Sequence, residues 1–421
     1  MNNVHSSIAR RPRLIVIGGG AAGFFCAVNA ARLAPGLSVT ILEKSNKVLS
    51  KVKVSGGGRC NVTHACFSIA DMVRRYPRGA NFLKKAFHHF FTEDTIAWFG
   101  ERGVALKTEA DGRMFPASNN SGTIIDCLVA ELNRYGVELR LQADVRELSR
   151  QPETGIYQVQ LANGRSLEAE YICVACGGFP KDSMFDWLRP LGHTIEAPVP
   201  SLFTFNMPGN PITGLMGVAL DAQVRITGSK LQEQGPVLIT HWGLSGPAVL
   251  RLSAWGAREL AAKDYQFSIL VNWLPAYNEQ SLREKLQQLR YELAGQKTGQ
   301  RNPLELPQRL WEYLLEQSGI NMDTRWADLP AKEQNKLIRN CCAQEHTVKG
   351  KTTFKEEFVT AGGIALATVE AGSMQSKLLP GLFFAGEILD VDGVTGGFNF
   401  QHAWTSGFIA ATSISKLATA E

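Results

Sequence analysis

Residues 13–23 read RLIVIGGGAAG, and small or apolar side chains continue at Phe24, Cys26, Ala27, Val28, Ala30, Ala31 and Leu33. A β-branched run, a glycine turn and a helical spacing, in that order, predict a strand over 13–17, a tight turn over 18–23 and then a helix. Gly18, Gly20 and Gly23 match G-x-G-x-x-G. In that pattern the first glycine permits the turn, the second lets the backbone approach a pyrophosphate, and the third lets helix and strand pack closely. The free N–H groups of the helix start then face the anion. Residues 38–42, SVTIL, predict a second strand, with Glu43 at its end, twenty residues after Gly23. A carboxylate there can accept hydrogen bonds from a ribose diol. Strand, turn, helix, strand and acid together predict a dinucleotide site in an α/β domain; an ordinary turn with a solvated Glu43 is the weaker reading.

The chain has 421 residues, enough for two or three domains and too many for a single small binding module. Hydrophobic residues make up 44% and charged residues 20%, so a substantial core is available. A net charge of +5, spread over this length, does not by itself imply nucleic acid. No stretch approaches about 18 consecutive apolar residues, and the opening MNNVHSSIARRPR is not followed by a signal-type run. A soluble, cytoplasmic protein without membrane contact is expected. Eight cysteines, two of them the adjacent Cys341 and Cys342, are too few for a disulfide framework and suit reduced thiols.

Glycines also cluster farther along. Residues 55–61 read SGGGRCN, where three adjacent glycines can curl amides around an anion or flat ring and Arg59 adds a positive charge near phosphates. Residues 170–178, EYICVACGG, and 381–387, GLFFAGE, each predict an apolar strand ending in glycine beside a ligand, in the same sheet as the first strand. The closing segment turns at Gly396 and Gly397 and enters a helix of small residues, whose start supplies further free amides.

SGGGRCNVT at 55–63, THWGLSGPAVLRLS at 240–253, VTAGGI at 359–364 and GLFFAGEILDVDGVTGGFNFQ at 381–401 are similar to signature segments of the HI0933-like flavoprotein family. The matches run in order from residue 14 to about 411. The resemblance implies FAD as cofactor. By it, Gly18, Gly20, Gly23 and Glu43 hold the ADP half, while Gly57, Arg59, Asn61, Gly386, Glu387, Gly397 and Asn399 approach the pyrophosphate, ribityl chain or flavin ring. The amides after Gly396 would sit near the carbonyl edge of the flavin. Ala21, Ala22, Lys44, Ser55, Gly56, Gly58, Cys60, Val145, Gly177 and Gln401 complete the candidate cofactor set. Two segments depart from the usual pattern: Ala175-Cys176-Gly177-Gly178 replaces Ala-Thr-Gly-Gly, and Gly386-Glu387 replaces Gly-Asp.

The expected fold is a Rossmann-like FAD-binding domain over 1–196 and 356–421, interrupted by an insertion. Short apolar runs between Gly and Pro turns predict a β-rich domain over 197–274 and 342–355. EQSLREKLQQLRYELA, LPQRLWEYLLEQSG and KEQNKLIRNCC have helical spacing and predict a helical subdomain over 275–341. An insertion so placed suits shaping of a substrate pocket.

Other residues carry sharper and blander readings. Cys173 and Cys176 form C-x-x-C, but positions i and i+3 of a strand face opposite ways, so two core thiols are preferred to a redox pair. Cys60, His64 and Cys66 supply three possible metal ligands without a second cluster, and no metal is expected. A backbone role for Cys60 is preferred to a reactive thiol. Arg113, in GRMFPAS, and His241, in THWGLSGP, are candidate substrate-pocket residues, against a surface cation and a structural imidazole. RRYPRGANFLKKAFHH at 74–89 reads as a solvated helix face in preference to an RNA contact.

The function implied is an FAD-dependent oxidoreductase of a small molecule. The resemblance favours reduction of a conjugated, enone-type double bond, with NAD(P)H as a transient electron donor, since no second G-x-G-x-x-G follows a strand. The alternatives are an oxygen-using oxidase of a small amine and an RNA-binding flavoprotein. The sequence singles out no catalytic residue and leaves the oligomeric state open.

Overall fold

The computed structural model describes residues 11–353 and 359–420. The first ten residues and the boundary expected at 355–356 lie outside them. The chain forms two compact units, Met1–Val199 with Lys355–Glu421, and Pro200–Phe354.

The first unit is built on a five-stranded parallel sheet. Its elements are β1 (Arg13–Ile17), α1 (Ala21–Leu33), β2 (Ser38–Leu42), β3 (Glu138–Arg140), β4 (Tyr171–Val174), β5 (Leu382–Phe384) and the closing helix α2 (Phe398–Ala420). The strand order is β5-β4-β1-β2-β3. β4 is buried along its whole length, as a parallel strand covered on both faces requires. The register sets Ile17 opposite Leu42 and Val174, and Val174 opposite Phe384. Four strands therefore end in one row, and Gly18, Glu43, Ala175 and Ala385 emerge side by side. Ligands of open α/β sheets bind at this carboxyl edge.

Helix α1 has no polar face: ten of its thirteen residues are buried. α2 packs on it closely, because Gly407 lacks the Cβ that would stand 2.7 Å from the Ala22 carbonyl. The buried Asn29 is satisfied by donating to Phe25 O at 2.8 Å and accepting from Trp98 Nε1 at 3.0 Å.

The second unit holds a seven-segment antiparallel sheet, in the order Gln344–Lys349, Gln266–Asn272, Ala219–Ile226, Gln232–Thr240, Gly243–Ser245, Thr204–Asn206 and Lys351–Thr352. The first and last segments are one stretch of chain bent at Gly350, whose φ is +97°, so the sheet closes on itself as a barrel and leaves no long free edge. Helices Glu279–Glu292, Gln308–Gln317 and Ala331–Cys342 bury Leu286, Trp311, Leu314 and Ile338 in the same core as Val271 and Val348 of the barrel. Among the described residues no helix is long and apolar enough to cross a membrane.

Candidate functional site

At the carboxyl edge of the first unit, the glycine turn is shaped by its own backbone. A Cβ on Gly23 would lie 2.0 Å from Gly18 O, and one on Gly18 would lie 2.4 Å from Ala175 O. Both glycines are required by packing of the turn against α1 and β4. Gly20 differs: it caps α1, and no atom lies within 4 Å of where its Cβ would be. The amides of Ala21 and Ala22, at the start of α1 where no preceding turn supplies an intrahelical acceptor, belong to the same helix end. Glu43 borders this space, with Oε2 accepting from Gly19 N and Oε1 from Ser45 N, each at 2.8 Å. Lys44 is exposed, with Nζ 5.8 Å from the Phe179 ring. Val145 is buried in the strand Val145–Arg150, just beyond Ala143, whose amide donates to Glu43 O.

The SGGGRCN segment breaks the helix Ser50–Gly58: Ser55 is extended, and Gly56, Gly57 and Gly58 have φ of +59°, +69° and +82°. Gly57 and Gly58 face open space, whereas a Cβ on Gly56 would meet the Phe115 ring at 2.8 Å. Arg59 does not stand as a free cation. Its guanidinium lies 4.0 Å from the Phe115 ring centre and pairs with Glu109 at 2.6 Å. Arg113 reaches the other oxygen of Glu109 at 3.1 Å, lies 5.5 Å from the same ring, and also pairs with Asp111. The two arginines singled out in the sequence are thus brought together around one carboxylate and one ring. Cys60 is fully buried, and desolvation pushes its thiol up to about 12, which leaves it unreactive.

The distant segments close on this loop. Asn61, oriented by its hydrogen bonds, accepts from Gly397 N at 2.9 Å and donates to Thr63 O and Met114 O. His64 Nδ1 lies 3.0 Å from Gly396 O, its ring stacks on Phe398, and burial lowers its pKa, so it is neutral at pH 7. Asn399 clasps Gly393 through both its amide atoms. Gln401 is wholly buried, accepting from Thr63 and Thr95 and donating to Thr405, so it braces the loop from inside. Gly177 faces open space. Glu387 accepts from Thr360 N at 2.8 Å and pairs with Lys51 Nζ at 2.6 Å. Gly386 O lies 3.1 Å from His402 Nε2; burial brings that imidazole down to about 4.

Glu109, Lys51 and Thr360 belong to this arrangement and were not singled out in the sequence. Thr360 lies in the segment VTAGGI and Glu109 stands four residues before Arg113, whereas Lys51 carried no signal. Of the C-x-x-C pair, Cys173 is fully buried in β4, while Cys176 lies past its end, half-buried, with its thiol donating to Ile17 O. Among the described residues, no group of three or more His, Cys, Asp or Glu is placed to hold a metal ion. His241 belongs to the second unit, exposed in the turn after Gln232–Thr240 and edge-on to Trp242.

The residues of the first unit suit an FAD group. Gly20, Gly57, Gly58 and Gly177 leave backbone open where side chains would fill it, and the buried Thr360 Oγ1 has no partner among the described residues. Amides at the α1 start suit a pyrophosphate, and Glu43 suits a diol beside it.

The protein-family model for the HI0933-like protein Rossmann domain matches residues 12–413. A ribosomal RNA dihydrouridine synthase of Haemophilus influenzae is 30% identical over 413 residues, covering 96% of this chain and 98% of that protein. A 3-dehydro-bile acid delta(4,6)-reductase of Clostridium scindens is 28% identical over 418 residues, covering 96% and 99%. Among solved structures, the open conformation of a flavocytochrome c3 fumarate reductase superposes with a TM-score of 0.50 at 15% identity, over 97% of this chain and 78% of that one, a likeness of fold alone.

Proposed function

Since the chain belongs to the HI0933-like family, we propose that this flavoprotein oxidoreductase reduces a carbon–carbon double bond conjugated to a carbonyl, and that the bond is the ring double bond of a uracil base in RNA. The observation that carries the reading is that two relatives with nearly full-length matches are named for one kind of chemistry. Dihydrouridine is uridine with its ring double bond saturated, and that bond is conjugated to the C4 carbonyl. A bile acid delta(4,6)-reductase acts on double bonds of the same electronic type. The reductive direction is therefore preferred to oxidation of an amine. RNA is preferred to a steroid because Arg75, Lys84 and Lys85 are exposed and have no acidic partner among the described residues.

Bound FAD supplies the two-electron chemistry, and NAD(P)H is the proposed electron donor. The chain's own residues bind and orient. The α1 amides from Gly20 to Ala22 would hold the pyrophosphate and Glu43 the ribose diol. The open backbone of Gly57, Gly58 and Gly177 admits the rest of the cofactor, with Asn61 fixing the Gly396–Gly397 turn against it. The Arg59–Glu109–Arg113 clasp keeps the SGGGRCN loop in its left-handed form.

The test uses FAD-loaded protein under anaerobic conditions, with NADPH and then NADH. It is offered a ribosomal RNA transcript and, separately, a 3-oxo-4-ene bile acid. The expected result is nicotinamide oxidation coupled to dihydrouridine, read by mass spectrometry of the nuclease digest. Turnover of the bile acid alone would move the substrate to small enones. Turnover of neither, with the flavin reduced by dithionite but by neither nicotinamide, would overturn the reductase reading.

A further inference from the structure

A second feature of the first unit lies beside the Gly396–Gly397 turn, outside the set of residues proposed to hold the cofactor. Phe67 is 55% exposed, a large aromatic left in solvent on the short connection after the strand Thr63–His64. Eight residues on, the exposed Arg75 closes the segment onto the same turn: its carbonyl accepts from Val394 N at 2.9 Å. Its positive charge works to lower the pKa of both His64 and Cys66, on the chain just before Phe67. His64 in turn contacts Gly396 O and stacks on Phe398. The neighbouring Arg74 is paired with Asp71, but Arg75 has no acidic partner among the described residues. Within the stretch 74–89, Tyr76, Phe82 and Phe87 are buried and only the imidazoles of His88 and His89 are exposed, so among the described residues Phe67 is the large apolar ring this region offers to solvent.

A solvated ring costs free energy that burial would recover, and an unpaired guanidinium beside it adds a charge for phosphate. Proteins that take up single-stranded RNA combine these two elements, a face on which an unpaired base stacks and a cation for the backbone. We propose that Phe67 and Arg75 form an RNA-docking surface at the rim of the candidate site, Phe67 stacking on an unpaired base and Arg75 contacting a phosphate. The inference rests on the RNA reading above and adds the residues by which the strand is held. A small enone has no use for the phosphate contact.

The experiment measures binding of a uridine-rich single-stranded oligoribonucleotide to the FAD-loaded protein by fluorescence anisotropy across a salt series. The variants are Phe67→Ala, Phe67→Tyr, Arg75→Ala and Arg75→Lys, with Lys332→Glu, an exposed position of the second unit, as control. Flavin content and melting temperature are recorded for each. Phe67→Ala should weaken binding about tenfold, with Phe67→Tyr restoring it, because stacking needs the ring and not its identity. Arg75→Ala should lower the slope of log affinity against log salt by about 0.7, and Arg75→Lys should keep it. Salt-dependent binding that all four variants leave unchanged would overturn this surface while sparing the RNA reading. No binding by the parent protein, together with no dihydrouridine formed, would overturn the RNA reading and this surface with it.

Discussion

The turn at 18–23 and the loop at 55–61 are both runs of glycine at the same candidate site, yet they need glycine for opposite reasons. In the turn, Gly18 and Gly23 are forced by the protein, since side chains there would overlap Ala175 O and Gly18 O. In the loop, Gly57 and Gly58 have nothing within 4 Å, and what calls for glycine is backbone conformation, with φ near +69° and +82°. The turn is therefore part of the fold, whereas the loop is a surface held open by the fold. A substitution separates the two cases, because the first should fail in folding and the second mainly in what the loop receives.

The largest effect is expected at Gly23. Gly23→Ala puts a methyl group 2.0 Å from Gly18 O, a backbone atom that cannot rotate away, so α1 must leave β1. The cost should be about 3 kcal/mol or more, seen as loss of soluble, flavin-loaded protein and a collapsed melting temperature. A well-folded Gly23→Ala would break the comparison. Next comes Glu43→Gln, which keeps an oxygen for Gly19 N and removes the charge. FAD binding should weaken about tenfold with little change in the melting of the apoprotein, measured by titrating apoprotein with FAD. Gly57→Ala should cost about 1 kcal/mol in thermal stability, the penalty of a left-handed alanine in open space. If its FAD affinity falls by much more than that, the space over Gly57 is where the cofactor lies.

The same contrast explains what was legible in the sequence. β1 and β2 fall at the residues their periodicity predicts, and α1 follows the glycine turn but begins at Ala21, inside the turn expected over 18–23, because hydrophobic spacing and glycine chemistry are local while the helix boundary is set by where the backbone can turn. β4 and β5 could also be read, as buried parallel strands are continuous apolar runs. The partners that finish the site were hidden. Lys51 and Glu387 stand 336 residues apart, and nothing in either segment announces the other. Gln401 enters the candidate cofactor set in the sequence, with nothing there to mark it as a buried brace. Only the packing of α2 reveals that it points inward, to Thr63 and Thr95. Closure of the barrel was equally hidden, since it depends on one bent strand at Gly350 pairing with segments far from it in the chain.

The smallest effect expected is none at all, at Cys60. A cysteine beside an arginine in a glycine loop invites the reading of a reactive thiolate, and the geometry argues against it on two counts. The Arg59 guanidinium is engaged with Glu109 and the Phe115 ring, and the Cys60 sulfur is fully buried. Desolvation pushes the thiol up to about 12, so at pH 8.5 the thiolate is on the order of one part in a few thousand. Cys66, six residues on and half-buried, is also raised, but its sulfur is reachable. Iodoacetamide on the native protein should therefore label Cys66 while Cys60 stays unmodified until denaturant is added, as read by peptide mass mapping. Labelling of Cys60 at the rate of Cys66 would mean that the loop opens in solution. The glycines of 55–61 would then serve motion, and the distinction between a turn fixed by packing and a loop held open by backbone conformation would have to be redrawn.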